Sequence, residues 1–392
     1  MIRRWEFVKG ERLPWIDAAR GLAIFGIFMV NMPSFNAPYF MFGGEEAWTG
    51  QLNEVVQSGV DMFFQASFYT LFSFLFGFGL YMMKESLEGK GLHYSRVLTR
   101  RLSVLIVFGL IHGILIWYGD ILLTYGVLGF LLLPMLKWSV KVMSWLALAI
   151  LLVFTTYVTF GYYSFRDQLG QANQFLIDKA FAAYQSESLL SIWSENWETW
   201  QLVYASVYQW VFLAASIWPV MVLGVIAAKK RWLHEPITHE KTLKQIGGIS
   251  FILFVVFKIG PYLYGNPEWF STAQDNIGGT ASAIFYMTMT TLLWNKKEKL
   301  LIPFQYVGKL SLSNYIFQSV LCFLLFYGVG LGLYGDVSPV WNVVLVVVIY
   351  TLQVFGSFLW LKVFRYGLLE WIWRAFTYRQ IQPLKRSKEK MR

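Results

Sequence analysis

The chain has 392 residues, of which 56% are apolar, 19% aromatic and only 14% charged, against about 25% charged in ordinary globular domains. A water-soluble fold of this size has no cover for that much apolar surface, and the mean hydropathy is +0.48. The same composition excludes a disordered chain, a collagen and a disulfide-stapled secreted domain. The single cysteine, Cys322, has no partner for an internal bridge and carries no information about redox compartment.

A bilayer core takes about 20 mostly apolar residues per helix. Ten such stretches follow one another, at roughly 14–34, 60–82, 102–118, 121–136, 142–161, 203–228, 245–264, 277–294, 308–331 and 340–361. The predicted fold is therefore all-α, a polytopic helical membrane protein forming a single transmembrane domain over 1–392. The third and fourth stretches are short and separated only by Tyr118, Gly119 and Asp120, which predicts a tight helical hairpin.

The charges test that alternation. Of the 33 Lys and Arg residues, 29 fall on one side: the N-terminus, 84–101, 137–141, 229–244, 295–309 and a basic tail at 362–392. By the positive-inside rule that side, with both termini, is cytoplasmic. Arg166 and Lys179 fall opposite, while Arg20 and Lys258 lie inside spans. The net charge of +10 follows from this segregation and gives no reason to expect nucleic acid, because the basic residues flank helices rather than line a groove. The first apolar segment carries Asp17 and Arg20 and lacks a small-residue cleavage site, so it reads as a retained membrane helix. No internal repeat is evident. The long connection 162–202 combines a helical apolar stripe with Trp193, Trp197 and Trp200; it is expected to be an extracytoplasmic amphipathic insertion, either an interfacial anchor or a lid.

Ionisable and amide groups inside spans are costly and are candidates for function. In the opening helix Asp17 and Arg20 are three residues apart and can pair on one face. Asn31, eleven beyond Arg20, returns to nearly the same azimuth, about 16 Å along the axis. His112 is the one histidine within a span. Its neutral imidazole suits a general base, and Asp120 either orients it or caps the next helix. Arg100 and Arg101 stand at the inner mouth of the same span. Asp61 and Gln65, at i and i+4, read as a helix cap or a substrate contact, and Asn314 and Gln318 as interhelical hydrogen bonds or a substrate contact. Lys258 is near enough to a helix end to snorkel. Gly77 and Gly79, like Gly328, Gly330 and Gly332, read as close helix packing. No P-loop, nucleophile elbow or CxxC motif is present, and the pair His234 and His239 is too weak a signal to predict a metal.

The blocks RLPWIDAARGLAIFGIFMVNM (12–32), FYTLFSFLFGFGL (68–80), RRLSVLIVFGLIHGILIWYGDILLTYGVLGFLLL (100–133), VGKLSLSNYIFQS (307–319) and YGLLEWIWRAFTY (366–378) together resemble the YeiB-like family. That is a bacterial multispanning family classed as a domain of unknown function. The resemblance implies a multi-pass protein of the bacterial plasma membrane. The block Asp17-x-x-Arg20-Gly21, with a polar residue eleven after the arginine, is more distantly similar to the first helix of transmembrane acyltransferases such as the heparan-α-glucosaminide N-acetyltransferases. In those the donor is cytoplasmic acetyl-CoA and the acceptor lies on the far side of the membrane. The glucosaminide enzymes carry their catalytic histidine shortly after this helix, whereas residues 33–59 here contain none, so His112 would supply the base.

This resemblance implies a membrane-embedded acyltransferase. Arg20, Arg100 and Arg101, with Asp17, would hold acetyl-CoA or another acyl-CoA as co-substrate. Asn31 would polarise the thioester, and His112 with Asp120 would activate a cell-envelope glycan, polyol or lipid acceptor. The alternatives are a transporter or flippase for a small solute or lipid, in which His112 and Asp120 relay protons, and a non-catalytic membrane scaffold. Membrane lipids are expected neighbours, and a homodimer is left open.

Overall fold

The computed structural model describes residues 12–386. Its principal helices are α1 (Pro14–Asn36), α2 (Gln51–Phe63), α3 (Ser67–Glu88), α4 (Tyr94–Leu115), α5 (Leu122–Leu132), α6 (Val140–Ser164), α7 (Gln174–Tyr184), α8 (Leu189–Tyr204), α9 (Val207–Lys229), α10 (Glu240–Phe254), α11 (Gly279–Lys309), α12 (Ser311–Phe326), α13 (Pro339–Val363) and α14 (Leu368–Tyr378). Among the described residues the only β pairing is an isolated bridge between Phe364 and Lys385. The chain is an all-α protein with the helices of a polytopic membrane protein. Among the described residues seven segments are long and apolar enough to cross a bilayer, and α11 with α12 adds a bent pair meeting at 77°.

All ten expected stretches contain helix, but they are not ten equal spans. The fourth contributes only the eleven residues of α5. The eighth and ninth, expected on either side of a loop at 295–309, are instead the two arms of the bent pair. Residues 295–309 are helical, interrupted by one non-helical residue at Lys297. The lysines there mimic a loop in the sequence, yet lysine is a good helix former. The second stretch begins earlier than expected, as α2, and turns into α3 at Ala66, whose φ is 57°. Two π-helical segments, Val255–Ile259 and Gln274–Gly278, follow α10 and precede α11.

Hydrophobic exclusion from water does not draw helices together inside lipid, so close packing must. Small residues permit it at two crossings. A methyl group on Gly21 would lie 1.8 Å from the Phe304 carbonyl oxygen, and one on Gly308 would lie 1.7 Å from the Asp17 carbonyl oxygen. At the crossing of α3 and α9, Gly77 faces Met221 and Gly224 faces Phe74 in the same way, each at 1.9 Å. The packing expected of Gly77 is thus present, whereas Gly79 opens toward the guanidinium of Arg20. α1 is buried along most of its circumference, from Trp15 to Asn36. By contrast α6 leaves Trp145, Val153, Tyr157 and Phe160 outward, as a lipid-facing helix does.

The connection 162–202 folds back over the end of the bundle that carries Leu115 and Ile116. The indole of Trp193 donates to the Leu115 carbonyl at 3.0 Å, and the Asn196 amide donates to that of Ile116 at 3.3 Å. The start of the basic tail is likewise structured. α14 packs on α4, with the Trp373 indole donating to the Arg101 carbonyl at 2.8 Å.

Alanine at Gly21, Gly77, Gly224 or Gly308 is expected to force backbones apart and cost about 1–3 kcal/mol. Alanine at Gly248 or Gly356, which have open space around them, should be neutral or stabilise by up to about 1 kcal/mol. Thermal unfolding in one detergent ranks the six variants; equal shifts in both groups would refute the crossing argument.

Candidate functional site

α1, α3, α4, α5, α11, α12 and α14 line a cavity of about 560 Å³, within the range of roughly 300–1,000 Å³ usual for small-molecule sites. It has a charged mouth and an apolar end. At the mouth Arg12, Arg20, Arg101, Lys309 and Arg374 line it, against a single lining carboxylate, Glu370. On α1 the lining continues through Ile24 and Ile27, and the inner end is closed by Ile121, Leu122, Tyr125 and Tyr315. Positions 20, 24 and 27 are one helical face, so the polar stripe expected on α1 does face the cavity where it starts.

The four arginines are held by local partners. Asp17, 1% exposed, takes Arg12 Nε at 3.0 Å on one oxygen and Arg20 Nη1 at 3.2 Å on the other. The expected Asp17–Arg20 pair is therefore present, with Arg12 as its third member. The Arg101 guanidinium lies 3.5 Å over the Trp373 ring, and Arg374 donates to Gln382 Oε1. Arg100 points elsewhere: its Nε donates to the Arg96 carbonyl at 3.3 Å, and it does not line the cavity. Glu370 caps the N-terminus of α12. It accepts from the backbone of Leu312 at 2.7 Å and of Ser313 at 3.1 Å, and from the Ser313 hydroxyl at 2.5 Å. Burial raises its carboxyl above the usual range, and the Ser313 bonds oppose that rise.

Beyond the cavity's closed end lies the imidazole. His112 is 1% exposed, and its Nδ1 meets Asp120 Oδ1 at 2.9 Å. The other Asp120 oxygen accepts from the Leu123 amide at 2.7 Å. Asp120 thus does both things expected of it, orienting the histidine and capping α5. A carboxylate at Nδ1 fixes the proton there in the neutral ring, leaving Nε2 with its lone pair. That Nε2 is buried and has no hydrogen-bond partner. Tyr315 separates it from the cavity, with ring centroids 5.2 Å apart. Asn31, half-buried, continues the α1 face four residues past Ile27 but is not among the lining residues. Arg20, Asn31 and His112, given roles in one reaction by the sequence, therefore do not line one cavity. Arg20 lies in the cavity, His112 lies one side chain behind it, and Asn31 lies past its end.

The remaining candidates fall elsewhere. Asn314 donates to Ser357 Oγ at 3.0 Å, and Gln318 donates to Gln353 Oε1 at 2.8 Å, so both tie α12 to α13. Asp61 accepts from the Tyr262 hydroxyl at 2.6 Å and lies 3.7 Å from Lys258, which also meets Asp275 at 3.1 Å. Gln65 bonds Asp275 as well. Lys258 does not snorkel: it is 0% exposed, drawn inward by Asp275 of the second π-helical segment and Asp61 of α2. Among the described residues no group of three or more His, Cys, Asp and Glu is arranged to hold a metal.

Glu370, Lys309, Arg374 and Tyr315 escaped the sequence reading. Tyr315 and Glu370 lie inside the blocks that resemble the family, and Ser313–Glu370 is a contact across 57 residues with no local signature.

Lys258→Met, which strands two carboxylates, should cost about 3 kcal/mol or more, whereas Asp61→Asn, which leaves the Lys258–Asp275 pair, should cost less than half as much. Unfolding midpoints compare them; equal losses would show that Asp275 does not share the ammonium.

Residues 227–380 match the family model described as "Protein of unknown function (DUF418)". The chain is 35% identical over 398 residues to the uncharacterized protein YxaH of Bacillus subtilis, covering 95% of this chain and 96% of the relative. It is 26% identical to the uncharacterized protein YeiB of Escherichia coli, covering 95% and 98%. An uncharacterized 39.9 kDa protein from the amylase 3' region of Bacillus acidopullulyticus is 25% identical, with 97% of each chain covered.

Proposed function

The chain belongs to this YeiB-like, DUF418 family, and within it we propose a membrane-embedded acyltransferase that takes an acyl group from cytoplasmic acyl-CoA to an acceptor on the outer side of the bacterial plasma membrane. One observation carries the reading: a cavity lined by four arginines and a lysine on one part and by apolar side chains on another reaches Tyr315, whose ring packs on the histidine of a histidine–aspartate pair. A phosphate-bearing head with a long, weakly polar arm fits that gradient. Arg20, Arg101, Lys309 and Arg374 would neutralise the phosphates, while the arm would run between α1, α3 and α12 toward Tyr125 and Tyr315.

His112 Nε2 then acts as the general base, with Asp120 stabilising the imidazolium that forms. Tyr315 must swing aside for the thioester to reach it, and rotation of one aromatic side chain is a small rearrangement. Asn31, beyond the cavity, would touch the acyl carbonyl only after that movement.

The rival reading, a transporter or flippase, draws on the buried Lys258 and its half-buried partners Asp61 and Asp275 at two π-helical segments. Intramembrane ionisable groups of that kind serve proton-linked carriers.

Purified full-length protein in lipid nanodiscs, given acetyl-CoA, separates the two. An acyltransferase binds CoA with an affinity that weakens as salt rises, and releases free thiol. Lys309→Gln should weaken CoA binding roughly tenfold, and His112→Gln should keep binding but lower thiol release by at least about 100-fold. Absence of both CoA binding and thiol release sinks the proposal; movement of a phosphorylated solute or lipid without thiol release supports the rival.

A further inference from the structure

The outer wall of the histidine site is made by α8, and it presents a second unpaired nitrogen. The indole nitrogen of Trp200 is buried without a hydrogen-bond partner, as is Nε2 of His112. A methyl group on Gly113, the neighbour of His112, would lie 2.8 Å from that indole nitrogen and 3.4 Å from Cβ of Asp120. The indole nitrogen therefore borders the turn of α4 that carries His112, whose Nδ1, and not the unpaired Nε2, is turned to Asp120. α8 is held there by Trp193 and Asn196, whose bonds end on the last carbonyls of α4, and by Tyr204, whose hydroxyl donates to the Asp120 carbonyl. The Trp200 ring packs against Tyr204, with centroids 5.1 Å apart. Trp193, in contrast, has its indole N–H satisfied.

A buried donor and a buried acceptor left unmade are each costly. Here they are complementary: the indole N–H only donates, and the imidazole Nε2 of the aspartate-bonded tautomer only accepts. We propose that Trp200 and His112 form the subsite for a hydroxyl acceptor that enters from the outer face beneath α8. The inference rests on the acyltransferase reading and adds to it the acceptor class and a new binding residue. A hydroxyl donates its proton to Nε2, accepts the indole N–H on one lone pair and keeps the second for attack. A neutral amine has a single lone pair, which the indole would occupy, leaving none for the carbonyl. An ammonium has none at all. The site selects alcohols over amines.

In the reaction the hydroxyl oxygen forms a bond to the thioester carbonyl carbon as its proton passes to His112 Nε2. The carbon–sulfur bond then breaks, and the imidazolium returns that proton to the departing thiolate. The products are an ester and CoA thiol, with no other reactant needed.

The test supplies acetyl-CoA and three probes to the full chain in nanodiscs: glycerol, ethanolamine and a β-1,4-linked glucosamine dimer, the last two offering a hydroxyl and an amine on one molecule. Products are sorted by mild alkali, which cleaves esters and spares amides. The expected result is alkali-labile acetylation, with Trp200→Phe raising the acceptor KM about tenfold, the worth of one hydrogen bond, while the KM for acetyl-CoA stays put. A role in packing alone would not divide the two KM values. Amide products, thiol release that no probe accelerates, or an acceptor KM that Trp200→Phe leaves unchanged would each overturn the subsite with the acyltransferase intact. Absence of thiol release in every condition removes the acyltransferase reading itself, and the subsite with it.

Discussion

The contact between α1 and α11, backbone against backbone at Gly21 and Gly308, is the constraint on which the site depends. It presses the Asp17 carbonyl against Gly308, one residue before Lys309, and so gathers Arg12, Arg20 and Lys309 around one opening. A side chain at either glycine would part the helices and spread these charges over separate surfaces. In lipid, where apolar contact alone does little to join helices, such close approach is also a source of cohesion. The same packing that holds the bundle together therefore builds the cationic mouth.

A bilayer gives a buried charge no water, so every ionisable group here needs a partner within reach. Two clusters solve this with opposite surpluses. At the cavity, arginines and a lysine outnumber Asp17 and Glu370, leaving capacity for an anion. At the π-helical segments a single buried Lys258 is shared by Asp61 and Asp275, each 31% exposed, and the surplus is negative. In the His112–Asp120 pair, Asp120 is committed on both oxygens, one to the imidazole and one to the Leu123 amide. The fixed aspartate gives the imidazole one orientation and one proton position, and Nε2 remains the atom with nothing to do in the closed bundle.

Much of this was legible in the sequence wherever the contact is short-range. Asp17 and Arg20 pair because three residues of helix place them together, and His112 meets Asp120 because only a tight turn separates α4 from α5. Where the partner is remote, the residues say nothing. Glu370 caps α12 from α14, Trp200 reaches Gly113 from α8, and Tyr315 closes the cavity from α12. Asn31 shows the limit of periodicity: it does share the azimuth of Arg20, but azimuth says nothing about how far a cavity extends. The lysine-rich stretch at 295–309 was misread because its charges resemble a loop, while its backbone continues the helix past a kink at Lys297.

The sequence by itself determined that this chain is a bundle of apolar helices, with its basic residues segregated by end and a few polar groups placed where lipid would reject them. Helix formation and hydropathy depend on neighbours within a turn or two, and that information is written locally. Only the tertiary structure decided which of those polar groups share a cavity, which tie helices together and which wait unpaired. Those outcomes depend on how closely two helices cross and at what angle, and these follow from the packing of many residues at once.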